Sequence, residues 1–220
     1  MRIFRTIPGM ALAVLALTAT FAAQGQQGAG EINLNGQLVL AARAGMLQRV
    51  KQLLAEGAQV DSRDRNGDSP LNMAAAKGNV ELVEVLLQAR ADVQLANIAG
   101  VTPLMSAAYA RNDEIVRKLL AAGAPLDAMD RVQKTAAVYA AGQGCTPCLE
   151  QMLQAGLPVD ARLAHNLTLL MWAAGYGHEP TARLLLQRGA DRSLRDDRGK
   201  TAADIARDQD HAALAQLLAP

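Results

Sequence analysis

The residues best suited to chemistry are two cysteines in the run Cys145-Thr146-Pro147-Cys148, and the chain has no other cysteine. A thiolate at a helix N-terminus is stabilised, so this spacing suits a dithiol–disulfide redox pair. It equally suits a local structural disulfide in an oxidising compartment, or two packed free thiols. Because a redox motif of this kind normally accompanies a βαβ pattern, which the sequence lacks, the structural disulfide is the favoured interpretation.

The histidines do not supply a second reactive motif. His178 and His211 lie at 33-residue intervals from Asn79 and Asn112, which favours a polar role at helix starts, and His165 falls at a predicted turn tip. A zinc site at the cysteines would need two further ligands, and none is suitably spaced. No nucleophile elbow, phosphate-binding glycine loop or metalloprotease helix is present in the sequence. The sequence therefore predicts a protein that is not an enzyme and has no metal or cofactor.

Composition narrows the function classes further. The 220 residues are 50% hydrophobic and 3% aromatic, and 22 Lys plus Arg against 21 Asp plus Glu leave a net charge of +1. Nucleic-acid binding usually needs a clustered basic excess, so this balance argues against it. Half the chain being apolar also argues against intrinsic disorder. A well-packed protein rich in alanine and leucine is expected.

The N-terminus has the pattern of a secretory signal peptide. Arg2 and Arg5 precede an uncharged, mostly apolar run at residues 10–23, and small residues follow. Fourteen helical residues rise about 21 Å, which is short of the roughly 30 Å hydrocarbon core of a bilayer. We predict a signal peptide at 1–22, cleaved after Ala22, and a linker at 23–33. Cleavage after Gly25 and an uncleaved membrane anchor are the alternatives. The expected location is the periplasm, or outside the cell if the source is not bacterial.

A 33-residue repeat organises the rest of the chain. Segments beginning at residues 67, 100, 133, 166 and 199 align without a gap, and one more period backward reaches residue 34. Two of them open with GDSPLNMAAAKGN and GVTPLMSAAYARN. This resembles the ankyrin repeat, with its 33-residue period and Thr-Pro-Leu-His core. The resemblance implies an all-α solenoid of about six helix-turn-helix repeats joined by extended β-turn fingers, at 34–66, 67–99, 100–132, 133–165, 166–198 and 199–220.

The local sequence agrees with that architecture. Ser69 precedes Pro70 as a helix cap precedes a first helical residue. Paired alanines recur where first helices must approach each other closely, and the second helices carry apolar residues at helical spacing. Glycine at 57, 123, 156 and 189 predicts left-handed helix ends. No single repeat can bury its apolar side alone, so neighbours must stack.

Departures from the pattern mark special positions. Arg90 occupies the helix-ending glycine position of the second unit, so a left-handed arginine is expected there. The first and last units have the features of capping repeats. The motif histidine is absent throughout, which puts the usual inter-repeat hydrogen bonds in doubt; the residues at its place are Asn72, Met105, Val138, Met171 and Asp204.

The resemblance also implies a binding surface made of turn tips and exposed first-helix residues. On this chain the middle of that surface is apolar and aromatic, whereas both flanks are charged. Apolar anchors with a polar rim are typical of a protein-binding patch. The alternative is that these side chains fold back onto the neighbouring repeat. The predicted protein-binding residues are Ile98, Val101, Tyr109, Met129, Val132, Lys134, Leu167 and Tyr176.

Two function classes follow from these features. The first is a non-catalytic adaptor that binds a partner protein in the periplasm. One version of it is an inhibitor or immunity protein against a secreted enzyme, and another is an assembly or protective factor for a periplasmic enzyme. The second is a redox-active accessory protein that uses Cys145 and Cys148. For either, the expected partner is a protein and not a nucleic acid or, after signal cleavage, a membrane. A monomer without cofactor is predicted.

Overall fold

The computed structural model describes residues 33–219. The predicted signal peptide, and all of the predicted linker except Asn33, lie outside these residues. Twelve α-helices occupy the described part of the chain. They are α1 Leu34–Ala44, α2 Leu47–Ala55, α3 Pro70–Ala76, α4 Val80–Gln88, α5 Pro103–Tyr109, α6 Asp113–Ala121, α7 Ala136–Gln143, α8 Thr146–Gln154, α9 Leu169–Gly175, α10 Glu179–Gln187, α11 Ala202–Asp208 and α12 Ala212–Leu218.

Consecutive helices pack against each other in six pairs along the chain. The predicted helix-start signals are confirmed. Helix α3 begins at Pro70, and the hydroxyl of Ser69 accepts a hydrogen bond from Asn72 N at 3.1 Å. Thr102 caps α5 in the same way. These caps satisfy backbone donors that a helix start leaves free, so each first helix begins at a fixed residue. Within residues 33–219 no helix is both long and apolar enough to cross a bilayer.

Stacking of the pairs produces one continuous core. The alanine pairs of the first helices are almost fully buried, among them Ala107–Ala108 and Ala173–Ala174. Leucines of the second helices, such as Leu86 and Leu119, are fully buried beside them. Small residues on one helix and large ones on the other let neighbouring repeats approach while the space between them stays filled. The core is therefore a set of repeat-to-repeat interfaces, as an all-α solenoid requires.

Left-handed residues end the second helices, as the glycine positions predicted. Gly57 has φ 93° and Gly123 has φ 85°. Arg90, which replaces glycine at the same place after α4, adopts φ 62°. A residue with a Cβ is strained in this conformation, because the Cβ approaches the following carbonyl oxygen.

We expect Arg90→Gly to raise the free energy of unfolding by about 1 kcal/mol, because glycine relieves this strain. Chemical denaturation of the two proteins measures the difference. Ala89→Gly is the matched control: Ala89 has φ −78°, so its replacement should lower stability by about 0.5–1 kcal/mol. A lower denaturation midpoint for Arg90→Gly would contradict the prediction.

Five fingers project between the helix pairs, at residues 64–68, 97–101, 130–134, 163–167 and 196–200, and each is closed by a backbone hydrogen bond between its first and last residues. In four of them the first side chain also accepts hydrogen bonds from two backbone N–H groups of the same finger. These four acceptors are Asp64, Asn97, Asp130 and Asp196. Such side-chain turns shape the fingers without help from the core.

Neighbouring fingers are joined by backbone hydrogen bonds. Ile98 N donates to Asn66 O at 2.9 Å, Arg131 N donates to Ala99 O at 2.9 Å, and Asp197 N donates to His165 O at 3.1 Å. These bonds connect fingers one to two, two to three, and four to five. They fix the tips of these neighbouring fingers relative to one another.

Candidate functional site

The predicted binding residues fall into two groups. Ile98, Tyr109, Met129, Val132 and Tyr176 are 52–67% exposed despite their large apolar side chains. Val101, Lys134 and Leu167 are half-buried, and of these Val101 and Leu167 pack against the core, as the alternative of folding back expected. The exposed members lie on finger two, on or directly before finger three, and on or beside first helices α5 and α9, so they share the middle of the array.

Four aromatic rings and one lysine side chain form a row in the middle of this surface. The rings of Tyr109 and Tyr139 meet edge to face with centroids 5.8 Å apart, and those of Trp172 and Tyr176 stack at 6.1 Å. Lys134 Nζ lies between the two pairs, 5.7 Å from the centroid of Tyr139 and 5.2 Å from that of Trp172. A cation within about 6 Å of a ring is attracted to its face. We call Tyr109, Lys134, Tyr139, Trp172 and Tyr176 the aromatic row.

Two members of the row, Tyr139 and Trp172, are not among the predicted binding residues. They lie 33 residues apart, at one position of the first helix, where Met73 and Ser106 stand in the preceding repeats. Aromatic residues at this position in two successive repeats were the available signal. Both are half-buried and partly exposed at the surface between the fingers and the first helices.

A buried carboxylate fixes the middle of the row. Tyr139 Oη donates a hydrogen bond to Asp130 Oδ2 at 2.5 Å, while Asp130 Oδ1 accepts from the backbone of finger three. Burial of the phenol and its hydrogen bond to Asp130 raise the pKa of Tyr139 well above its ordinary value. Finger three and helix α7 are thereby tied together beneath Lys134. The row has a defined geometry before any partner arrives.

Grooves lie on either side of the row. A cavity of about 260 Å³ has Tyr109 and Tyr139 in its wall together with Val101 and Met105. A second, of about 350 Å³, is bounded by Trp172, Tyr176 and residues of the fifth finger and α11. Concave, mostly apolar surfaces with a few polar groups are suited to taking up side chains of another molecule.

Comparison with known proteins decides the family. The sequence matches the family described as ankyrin repeats over residues 38–130, 110–196 and 137–220. The chain belongs to the ankyrin repeat family. Its structure is similar to the crystal structure of EF0377, an ankyrin repeat protein, with 29% sequence identity and a TM-score of 0.76; the match covers 84% of this chain and 96% of that one. A comparison with curated proteins found no match.

Ankyrin repeats generally mediate protein–protein interaction, and proteins built from them are typically non-enzymatic binding scaffolds. In this ankyrin array, the residues at the family's histidine position make few side-chain hydrogen bonds between repeats. Asn72 is the exception: its Nδ2 donates to Val101 O at 2.9 Å, and its Oδ1 accepts from Ser106 Oγ at 3.1 Å. Met105 and Met171 instead lie buried in the core. Apolar contacts take over where the inter-repeat hydrogen bonds are lost.

The cysteines lie at the start of the second helix of the fourth repeat in the ankyrin array. Cys145 precedes helix α8, and Cys148 lies in its first turn; they are 2% and 0% exposed. Their Cα atoms are 5.3 Å apart, and the two sulfur atoms lie at bonding distance. Among the described residues no group of three histidine, cysteine or carboxylate side chains could hold a metal ion.

The C-terminal flank is charged and pre-ordered by ion pairs. Arg198 Nη2 lies 2.7 Å from Asp196 Oδ2, and Lys200 pairs with Asp208. Although burial opposes ionisation of Asp196, hydrogen bonds from Lys200 N and Arg198 lower its pKa. Asp204 accepts from the backbone and hydroxyl of Thr201. These contacts satisfy most carboxylates of the flank within the protein itself.

Asp204 should make stability depend on acid pH. Hydrogen bonds from Thr201 N and its hydroxyl, together with Arg207, lower the pKa of Asp204 from 3.8 to about 2. A carboxylate with a depressed pKa in the folded state stabilises the fold above its unfolded pKa, and this contribution is lost as pH falls through the folded value. The melting temperatures of the wild type and Asp204→Asn should therefore converge between pH 3.8 and about pH 2. A constant difference across that window would contradict the assignment.

Proposed function

We propose that the chain is an exported, non-catalytic adaptor that binds a partner protein through the middle of its finger and first-helix surface. The observation that carries the proposal is the aromatic row, bordered by exposed apolar finger residues. Aromatic side chains dominate the binding energy of protein interfaces when they are held rigidly and surrounded by contacts that exclude water. Charged flanks would supply the polar rim of such an interface.

The test is affinity capture from the exported fraction of the native cell with a surface variant. Ile98→Ser, Tyr109→Ala and Val132→Ser remove three side chains that are more than half exposed, so folding should be retained. Leu40→Ser with Met46→Ser is the matched control, because both residues are large, exposed and apolar but lie in the first repeat. The partner should be retained by the wild type and the control and lost by the triple variant. A partner kept by all three proteins would place the interface elsewhere.

Export is tested separately. The N-terminal sequence motivates the proposal, and cleavage after Ala22 would leave a mature chain that begins at Ala23. The intact mass of the protein recovered from native cells should match that product. A recovered mass that includes residues 1–22 would contradict export with cleavage.

An inhibitor or immunity protein would use the same surface, so it is a version of this proposal. Activity of the captured partner with and without the chain separates an inhibitor from an adaptor. The redox alternative gains no support from the position of the sulfur atoms, because a partner thiol must reach a disulfide sulfur to exchange with it. Both sulfurs belong to almost fully buried residues.

A further inference from the structure

Finger four differs from the other four fingers at its first residue. Leu163 stands where Asp130 and Asp196 accept two backbone N–H groups, and a leucine side chain can accept none. The finger instead contains a short 3-10 turn in which His165 and Asn166 are both left-handed, with φ 60° and 55°. Its closing bond from Leu163 N to Leu167 O remains. The finger is thus present, but its tip has another shape.

The altered tip interrupts the row of bonds between fingers. By the register of the other fingers, Ala164 N should donate to Val132 O, yet this hydrogen bond is not made between these two described residues. One N–H and one C=O are therefore left without a backbone partner on facing sides of fingers three and four. Free backbone groups of this kind pair readily with an added extended segment.

A slot of about 180 Å³ lies at the interruption. Its apolar lining comes from Val132, Val138, Leu163, Leu167 and Trp172. Trp172 Nε1 is a buried donor without an acceptor. An unpaired buried donor is costly, so a movement of the Trp172 ring on binding that gave Nε1 an acceptor would be favourable.

The charges around the slot are mostly basic. Arg131 is exposed next to Val132, and Lys134 lines the slot and lies over Trp172. The Arg162 guanidinium instead donates to Asn166 O and Arg195 O on the other side of finger four. The nearby carboxylates are already engaged: Asp130 accepts from Tyr139, and Asp197 accepts from Asn166. Charge complementarity therefore favours an acidic occupant.

We propose that the slot between fingers three and four receives an extended acidic segment of the partner protein. Its backbone pairs with Ala164 N and Val132 O, an apolar side chain packs against Trp172, and its carboxylates face Arg131 and Lys134. This inference rests on the proposed function, because it names the part of the partner that the surface recognises.

The test uses Trp172, the only tryptophan of the chain, as a fluorescent probe. The ligand is a short blocked peptide in which aspartate alternates with leucine, and the comparison peptide has lysine in place of aspartate. We expect the acidic peptide to shift Trp172 emission and to slow hydrogen exchange at Ala164 N, and the basic peptide to do neither. Equal binding of both peptides, or no change with either, would overturn the proposal.

Leu163→Asn is the decisive variant. Asn97 shows that asparagine makes the finger turn, so this change should restore the bond from Ala164 N to Val132 O without adding charge. We expect peptide binding to fall at least tenfold and exchange at Ala164 N in the free protein to slow; the melting temperature reports separately the loss of the apolar contacts of Leu163 with the core. Ala99→Asn is an uncharged control on finger two, at the position that Val132 holds on finger three. The bond from Arg131 N to Ala99 O is intact there, so this variant should bind the peptide as the wild type does. Undiminished peptide binding by Leu163→Asn would overturn the proposal that the slot binds the acidic segment.

The same variants separate the slot from the proposed function. If Leu163→Asn still captures the native partner while the triple surface variant does not, the adaptor function stands and the slot is wrong. If the wild type captures no partner but binds the acidic peptide, the slot stands and the adaptor function fails.

Discussion

Asp130→Ala is expected to lower the free energy of unfolding by about 3 kcal/mol, since it removes three hydrogen bonds worth roughly 1 kcal/mol each. Asp130 is 7% exposed, and its carboxylate accepts from Val132 N, Lys134 N and Tyr139 Oη. The loss should also release the Tyr139 ring from its fixed position in the aromatic row. Urea denaturation gives the stability change, and partner affinity reports the effect on the row.

Asp130→Asn is the control for this prediction. Asn97 performs the same finger turn with its side-chain carbonyl, so asparagine at 130 should keep both backbone bonds and lose less than half as much stability. A hydroxyl can rotate to accept as well as donate, which lets Tyr139 keep a partner. An alanine variant as stable as the asparagine variant would mean that water replaces the carboxylate at no cost.

Cys145→Ser with Cys148→Ser is expected to lower stability by about 3 kcal/mol and to leave partner binding unchanged. Opening a disulfide across so short a loop costs about 2 kcal/mol in chain entropy. A hydroxyl at the fully buried position 148 adds a desolvation cost of about 1 kcal/mol or more. Thermal denaturation under oxidising conditions measures the first effect, and affinity capture the second.

A second double variant separates the disulfide from polar burial. Cys145→Asn with Cys148→Val supplies a helix cap like that of Asn79, whose side chain accepts from Leu82 N at 3.0 Å, and keeps an apolar core residue. It should recover most of the lost stability. Loss of function in both variants, with stability recovered in the second, would favour the redox alternative over a structural disulfide.

The repeat made most of the fold predictable. Thr-Pro and Ser-Pro starts, glycine helix ends and even the left-handed Arg90 follow from local chemistry that recurs every 33 residues. Such features depend on the residue and its immediate neighbours alone. Alignment of one repeat on the next was therefore sufficient to place them.

The binding surface was less predictable because it depends on contacts between repeats. Val101 and Leu167 have the same apolar character as Ile98 and Val132, yet the first two pack inward and the last two are exposed. Trp172 is not among the predicted binding residues, because its contact with Lys134 arises only when finger three lies beside α9. Leu163 cannot make the finger turn, and the resulting loss of the hydrogen bond between fingers three and four likewise appears only when neighbouring fingers are compared.

The missing bond between fingers three and four also bears on how the array responds to force. In a solenoid each repeat contacts only its neighbours, so a force applied to the two ends passes through every junction between repeats. The junction between fingers three and four lacks the backbone hydrogen bond between fingers. The junctions between fingers one and two, two and three, and four and five each have it. Under tension applied to the two ends of the repeat array, the protein should yield first at the junction between fingers three and four.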